Sequence, residues 1–100
     1  MAGFLTEHGP YVIPDGQKVP VANPYSWNRE ANMLYIEQPA GVGYSYCEGD
    51  TDCASDDLRS AEDNLQVLLG WYAKFPEYRV NDLYLSGESY AGIYVPYLMD

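Results

Sequence analysis

A predicted helix between two short apolar runs most strongly restricts the folds available to this chain. Residues 55–75 carry apolar side chains at helical spacing, and the apolar runs at residues 32–36 and 83–86 precede and follow that helix. Each run has the length and composition of a strand buried on both faces. Because a helix that links two such strands forms a right-handed crossover, the strands should be parallel. The order predicts an α/β fold with a parallel or mixed sheet and packed helices.

The predicted helix has one apolar face and clear end signals. Ser55 or Asp56 can cap its N-terminus, Asp57 in the first turn suits the helix dipole, and Pro76 ends it. The apolar face consists of Leu58, Ala61, Leu65, Leu68, Leu69, Tyr72 and Phe75. We expect this face to be core, packed against the sheet.

A serine at the apex of a glycine-bracketed turn follows the second apolar run. Ser89 lies between that run and a second helix-like segment, which is the strand–turn–helix context of a nucleophile elbow. Small residues at Gly87, Ala91 and Gly92 would let the strand and helix backbones pass closely. The alternative is an ordinary turn in which the serine merely caps the helix.

The first part of the chain predicts short, edge-like strands and turns. Residues 11–13 and 18–21 resemble two strands about the Asp15-Gly16 turn, interrupted by Pro14 and Pro20. Residues 23–28 form a turn-rich connection whose aromatic side chains should cover a neighbouring sheet.

The two cysteines, Cys47 and Cys53, are the only ones in the chain and could close a small disulfide loop through residues 48–52. Two free thiols are the alternative. A disulfide would indicate an oxidising compartment. Two cysteines are too few for a structural zinc site, and the loop lacks EF-hand ligand spacing, so we expect no metal.

Composition excludes several classes of function. The formal net charge of −10, from fifteen acidic and five basic residues, disfavours nucleic-acid partners and anionic membranes. No apolar run approaches the ~20 residues that span a bilayer. The first residues have no signal-peptide pattern, and Gly41-Val42-Gly43 lacks the lysine and spacing of a phosphate loop, so we expect no cofactor.

Four stretches together resemble the serine carboxypeptidases of the α/β-hydrolase fold, with lysosomal members most similar. They are LTEHGP at residues 5–10, NPYSWN at 23–28, EQPAGVGYSY at 37–46 and LSGESYAG at 85–92. They occur in the family's order, and four linked motifs are far more specific than the serine turn alone. The resemblance implies a lysosomal, vacuolar or secreted enzyme that acts on the C-terminus of peptides.

The resemblance also implies residue roles. Ser89 matches the nucleophile, the backbone N–H of Tyr90 matches one oxyanion donor, and Glu7 with Glu88 matches a glutamate pair that recognises the substrate's C-terminal carboxylate. The family's catalytic aspartate and histidine would lie beyond the last residue of this sequence. We therefore expect residues 1–100 to be an internal fragment of one α/β-hydrolase domain, and His8 to be a loop residue beside the site rather than the base.

Two glutamates can recognise a carboxylate if one of them keeps its proton. At ~4 Å and an effective dielectric near ~20, two carboxylates repel by about 4 kcal/mol, so Glu7 and Glu88 should share a proton and donate a hydrogen bond. Raising the pH removes that donor, so peptide binding should weaken.

Other functions fit the same residues. An acyltransferase or esterase would use the same serine, and the isolated chain could be an inert truncated product that only binds partners. Without the triad's other members, the isolated 100 residues should have no peptidase activity and, with an uncovered sheet, poor solubility.

Overall fold

The chain divides into two units, residues 1–37 and residues 38–100. The computed structural model describes residues 2–49, 53 and 56–100. The first unit holds a small antiparallel hairpin, and the second holds two α-helices.

The first unit starts with a short π-helical turn, Phe4–His8, and continues into the hairpin. Strand β1 (Tyr11–Val12) pairs with β2 (Val21–Ala22), with Tyr11 opposite Ala22 and Val12 opposite Val21. The backbone N–H of Asn23 extends the contact by donating to the carbonyl of Pro10 at 2.9 Å. The predicted hairpin is confirmed in this shorter form.

The strands stop early because of prolines. Pro14 and Pro20 have no N–H to give to a ladder, so the paired residues lie outside them. Gly16 takes a φ of +77° in the connecting turn, a left-handed conformation that glycine adopts without steric cost. The Asp15-Gly16 turn therefore reverses the chain as the sequence predicts.

The second unit is built on helix α1 (Asp57–Lys74), which packs against α2 (Ala91–Met99) and against a 3-10 helix at Pro76–Val80. The carboxylate of Asp56 accepts the Arg59 N–H at 2.8 Å, which confirms Asp56 as the cap. Ser55, the alternative cap, lies outside the described residues. The helix ends at Lys74 with Phe75 as its C-cap, directly before Pro76, so its predicted end is also confirmed.

The predicted parallel strands are not formed in the described residues. Residues 32–38 and 82–88 have no regular secondary structure, and β1 and β2 are the only strands in the described ranges. A parallel pair needs further strands at its edges and helices on both faces, because its apolar side chains point both ways. In the described residues, the second unit supplies two α-helices and no sheet.

The buried face of α1 also differs from the prediction. Its buried residues are Ser60, Ala61, Asn64 and Leu68. Leu58, Leu65, Leu69 and Phe75, expected in the core, are 42–59% exposed, because no sheet lies against them in the described part of the unit. The buried face consists mainly of small or polar side chains. One of them, Asn64, contacts the segment that precedes α1, where its Nδ2 donates to Oε1 of Gln38.

The structure gives no candidate for a membrane-spanning helix. Within the described residues, neither α-helix combines the length and the apolar character that crossing a bilayer requires.

Replacement of the capping residue tests the helix. Asp56→Ala should lower the free energy of unfolding by about 1 kcal/mol, because the Arg59 N–H loses its acceptor at the positive end of α1. Denaturant unfolding followed by circular dichroism measures this. Asp63→Ala, at an exposed position within the same helix, is the matched control and should change stability by less than ~0.5 kcal/mol. Equal losses in the two variants would contradict the capping role.

Candidate active site

Ser89 occupies a strained turn directly before α2. Its φ is 58°, and it is the one non-glycine residue with positive φ in the described part of the chain. Such a conformation costs an ordinary side chain of order 1–3 kcal/mol and persists only where the surroundings enforce it. The Ala91 N–H donates to the carbonyl of Glu88, and the Gly92 N–H to that of Ser89, both at 3.0 Å. The side chain of Ser89 is exposed, which suits a nucleophile.

Gly87 makes this turn possible. A Cβ at Gly87 would lie 2.3 Å from the Cβ of Ala91 and 3.4 Å from Cγ2 of Val95. The structure therefore confirms the predicted close approach at Gly87 and Ala91. The expectation for Gly92 is wrong, because nothing lies within 4 Å of the corresponding Cβ position and the side there is open.

Tyr90 presents a free backbone donor next to the serine. Tyr90 is the N-cap of α2, and its N–H has no hydrogen-bond acceptor among the described residues. The first N–H groups of a helix lack intrahelical partners and carry the positive end of the dipole. The turn can thus offer this N–H to an anion that forms at Ser89.

The Tyr90 phenol is held by a carboxylate at the start of α1. Its hydroxyl donates to Oδ2 and Oδ1 of Asp57 at 3.0 and 3.1 Å. This hydrogen bond raises the pKa of Tyr90, because it stabilises the protonated phenol and the nearby negative charge disfavours the phenolate. The ring of Tyr94 contacts the Tyr90 ring edge-on, with centroids 5.0 Å apart.

The two predicted carboxylate-binding glutamates lie in separate units. Glu88 is exposed in the second unit, directly before Ser89, and Glu7 is exposed in the first unit, within the turn Phe4–His8. The predicted pairing of their carboxyl groups stays a prediction.

Asn23 fixes the main chain around Glu7. Its amide Nδ2 donates to the carbonyls of Glu7 and Gly9 at 3.2 and 2.9 Å, and its Oδ1 accepts the Tyr25 N–H at 3.0 Å. Sequence analysis missed this role. The signal was the Asn-Pro pair, which favours a turn in which the asparagine side chain bonds the backbone two residues on.

His8 lies in an aromatic stack and not in a loop. It ends the turn Phe4–His8, and its ring stacks on the rings of Trp27 (centroids 4.7 Å apart) and Tyr35 (5.4 Å). Its Nδ1 is 3.2 Å from the Tyr35 hydroxyl. The expectation that residues 23–28 cover a sheet is also corrected, since Trp27 packs on His8 and Tyr25 is 85% exposed.

The predicted disulfide is present between Cys47 and Cys53, with Cα atoms 5.6 Å apart. Residues 50–52 of its loop lie outside the described residues. Gly41 lies against this bond at a φ of +90°, and its Cβ position is 3.1 Å from Sγ of Cys53. A larger residue at Gly41 would therefore meet the sulfur. In the described ranges, no group of three or more potential ligand side chains could hold a metal ion.

The contact between Asp57 and Tyr90 is the second feature that sequence analysis missed. The two residues are 33 positions apart, and the position of Asp57 in the first helical turn already explained its charge. No motif or periodicity links them. Only the packing of α1 against α2 brings them together.

The turn at Ser89 has the turn and helix of a serine hydrolase elbow: an exposed serine in a left-handed conformation, an N–H after it that has no acceptor in the described residues, and a helix behind it. The strand that leads into such an elbow is not formed in the described residues. A family model of serine carboxypeptidases matches the whole chain, residues 1–100. The chain belongs to the serine carboxypeptidase family.

Relatives agree with this assignment. The chain is 54% identical to lysosomal protective protein of Mus musculus over 97 aligned residues. The alignment covers 96% of this chain and 20% of the mouse protein. Serine carboxypeptidase-like 21 of Arabidopsis thaliana is 45% identical over 101 residues, covering 98% of the chain and 20% of the relative. Serine carboxypeptidase 1 of Hordeum vulgare is 43% identical over 101 residues, and the alignment covers 96% of this chain and 20% of the relative. The chain thus spans about 20% of the length of each. The predicted family membership is confirmed.

Two glycine substitutions test the packing of the turn. Gly87→Ala should destabilise the protein by about 1–3 kcal/mol, because the new methyl group overlaps the Ala91 Cβ and the turn must open. Gly92→Ala is the matched control: it adds the same methyl group within a helix where there is space, and should be neutral or stabilise by up to ~1 kcal/mol. Thermal unfolding of both variants measures the difference. A Gly87→Ala variant as stable as Gly92→Ala would show that the close approach is absent in solution.

Proposed function

We propose that this chain carries the nucleophile of a serine-type carboxypeptidase and forms part of a single α/β-hydrolase domain. The observation that supports the proposal most directly is the positive φ of Ser89 at the entrance of α2. Family membership supports peptide-bond hydrolysis at a C-terminus as the chemistry of that serine.

Ser89 would attack the carbonyl carbon of the last peptide bond and form an acyl-enzyme. The C-terminal amino acid leaves with the proton taken from the hydroxyl, and water then releases the shortened peptide. The Tyr90 N–H would donate to the oxyanion of the tetrahedral intermediate, because it lies one residue after the nucleophile and has no acceptor within the described residues. The base and its orienting carboxylate would come from parts of the enzyme outside these residues.

Glu88 and Glu7 would recognise the free carboxylate of the substrate. Glu88 is adjacent to Ser89 in the sequence, so a substrate held there has its terminal group next to the reacting bond. One shared proton between the two glutamates would turn a repulsive pair into a hydrogen-bond donor. Asn23 supports Glu7 by fixing its carbonyl and that of Gly9.

The disulfide supports a place of action outside the reducing cytosol. Cys47–Cys53 would persist in an oxidising or endomembrane compartment. The mouse relative is named for the lysosome. We propose a lysosomal, vacuolar or secreted enzyme whose partners are peptide C-termini and the rest of its own domain.

Covalent labelling tests the nucleophile. The full-length enzyme should react with a fluorophosphonate probe at Ser89 and release C-terminal amino acids from peptides. Ser89→Ala should abolish both reactions, whereas Ser86→Ala, a serine three residues earlier, should retain them. The isolated residues 1–100 should show neither reaction, because one hydroxyl without a base is a weak nucleophile. Rapid labelling of the isolated chain, or labelling of Ser89→Ala at the wild-type rate, contradicts the assignment.

The pH dependence of substrate binding tests the glutamate pair. In wild-type enzyme KM for peptides should rise as pH increases, because deprotonation removes the donor and adds repulsion. Glu88→Gln keeps a donor at every pH, so its KM should stay flat over the same range. Glu77→Gln, at an exposed position in the 3-10 helix Pro76–Val80, should follow wild type. If KM of Glu88→Gln depends on pH as steeply as KM of wild type, the shared-proton account is wrong. Turnover of esters without turnover of peptides would instead indicate an esterase.

A further inference from the structure

The hydrogen bond between the Tyr90 phenol and the Asp57 carboxylate has no part in the activity described so far. It joins the first residue of α1 to the N-cap of α2 across 33 positions of sequence. Both carboxylate oxygens accept from the same hydroxyl, at 3.1 and 3.0 Å. The bond therefore limits both rotation and translation of the Tyr90 side chain.

Tyr90 is the residue whose placement matters most for an anion at Ser89. Its N–H direction depends on the peptide plane between Ser89 and Tyr90, and that plane follows a residue with φ of 58°. A strained turn relaxes unless its neighbours are held on both sides. The approach of Gly87 to Ala91 braces the turn by backbone and methyl packing, and the Asp57 carboxylate holds the tyrosine that follows the serine.

We propose that Asp57 is a positioning residue of the reaction, which acts through the Tyr90 side chain to aim the Tyr90 N–H at the oxyanion. The inference rests on the proposed hydrolase function of Ser89. It assigns no contact between Asp57 and substrate. An oxyanion donor is effective when its N–H is held in place before charge develops, so loss of the tether should act on the transition state and not on substrate binding.

Other contacts of Tyr90 support this role. The Tyr94 ring meets the Tyr90 ring edge-on and is one helical turn further along α2, so it restrains the plane of the Tyr90 ring. Tyr90 is itself 51% exposed, so packing covers only about half of the residue and the hydrogen bond to Asp57 supplies a further restraint. The pKa of its phenol is raised for the same reason, since the hydrogen bond to Asp57 favours the protonated form that donates.

A double-mutant cycle in the full-length enzyme tests the proposal. Tyr90→Phe removes one oxygen and retains the ring and the N–H, and Asp57→Ala removes the acceptor. Each should lower kcat for a blocked dipeptide by roughly three- to tenfold with little change in KM, and the double variant should be no slower than the slower single variant; tenfold corresponds to about 1.4 kcal/mol. Asp57→Asn keeps a neutral acceptor and should lie between wild type and Asp57→Ala. Tyr97→Phe removes a hydroxyl from the same helix and should match wild type.

A thiono ester substrate separates positioning from general stability. Its sulfur accepts hydrogen bonds poorly, so the advantage of the oxygen ester over it should shrink in Tyr90→Phe and in Asp57→Ala. Additive losses in the cycle, a change confined to KM, or an unaltered oxygen-to-sulfur ratio would each overturn the role of Asp57 while leaving Ser89 as the nucleophile. An inactive wild-type enzyme would instead overturn the proposed function, and this inference with it.

Discussion

The strained backbone at Ser89 is the constraint on which the candidate site depends. A serine with φ of 58° has an unfavourable backbone conformation, and the surrounding contacts offset its conformational energy. Gly87 lets the chain run against Ala91, and the carbonyls of Glu88 and Ser89 accept the first N–H groups of the helix. The result is an exposed serine next to the Tyr90 N–H, which has no hydrogen-bond acceptor among the described residues. The exposure of Ser89 and the strain of its backbone have the same structural origin, which is the turn itself.

Short polar side chains fix main-chain turns in both units. In the first unit Asn23 holds two carbonyls around His8 while its oxygen closes its own turn. In the second, Asp56 caps α1 and Asp57, the next residue, reaches Tyr90. Consecutive carboxylates at one helix end thus have different partners. Asp56 accepts a backbone N–H of its own helix, and Asp57 accepts the hydroxyl of Tyr90 at the start of α2.

Features set by neighbouring residues could be predicted from the sequence, and features set by distant ones could not. The cap at Asp56, the hairpin turn at Gly16 and the disulfide each involve partners within a few positions, and all three are found. The strands at residues 32–36 and 83–86 required neighbours far away in sequence, and the described residues hold none for them. The bond from Asp57 to Tyr90 depends on how two helices pack, so no local pattern announced it.

Several apolar side chains of the second unit are not covered by a sheet in the described residues. In the second unit they line an open cavity of about 530 Å³, formed by Leu65, Leu68, Leu83, Tyr84, Leu85, Leu98 and Met99. Three of these residues belong to the run that the sequence predicts as a doubly buried strand, and others come from both helices. A strand laid there would need partners on its edges to satisfy its backbone. The turn at Ser89 does not share this need, since its backbone hydrogen bonds close within four residues and its one long-range hydrogen bond, from Tyr90 to Asp57, is made to a helix. The geometry of the turn is therefore present in the described residues without a sheet, whereas the proposed chemistry also requires a base from elsewhere in the enzyme.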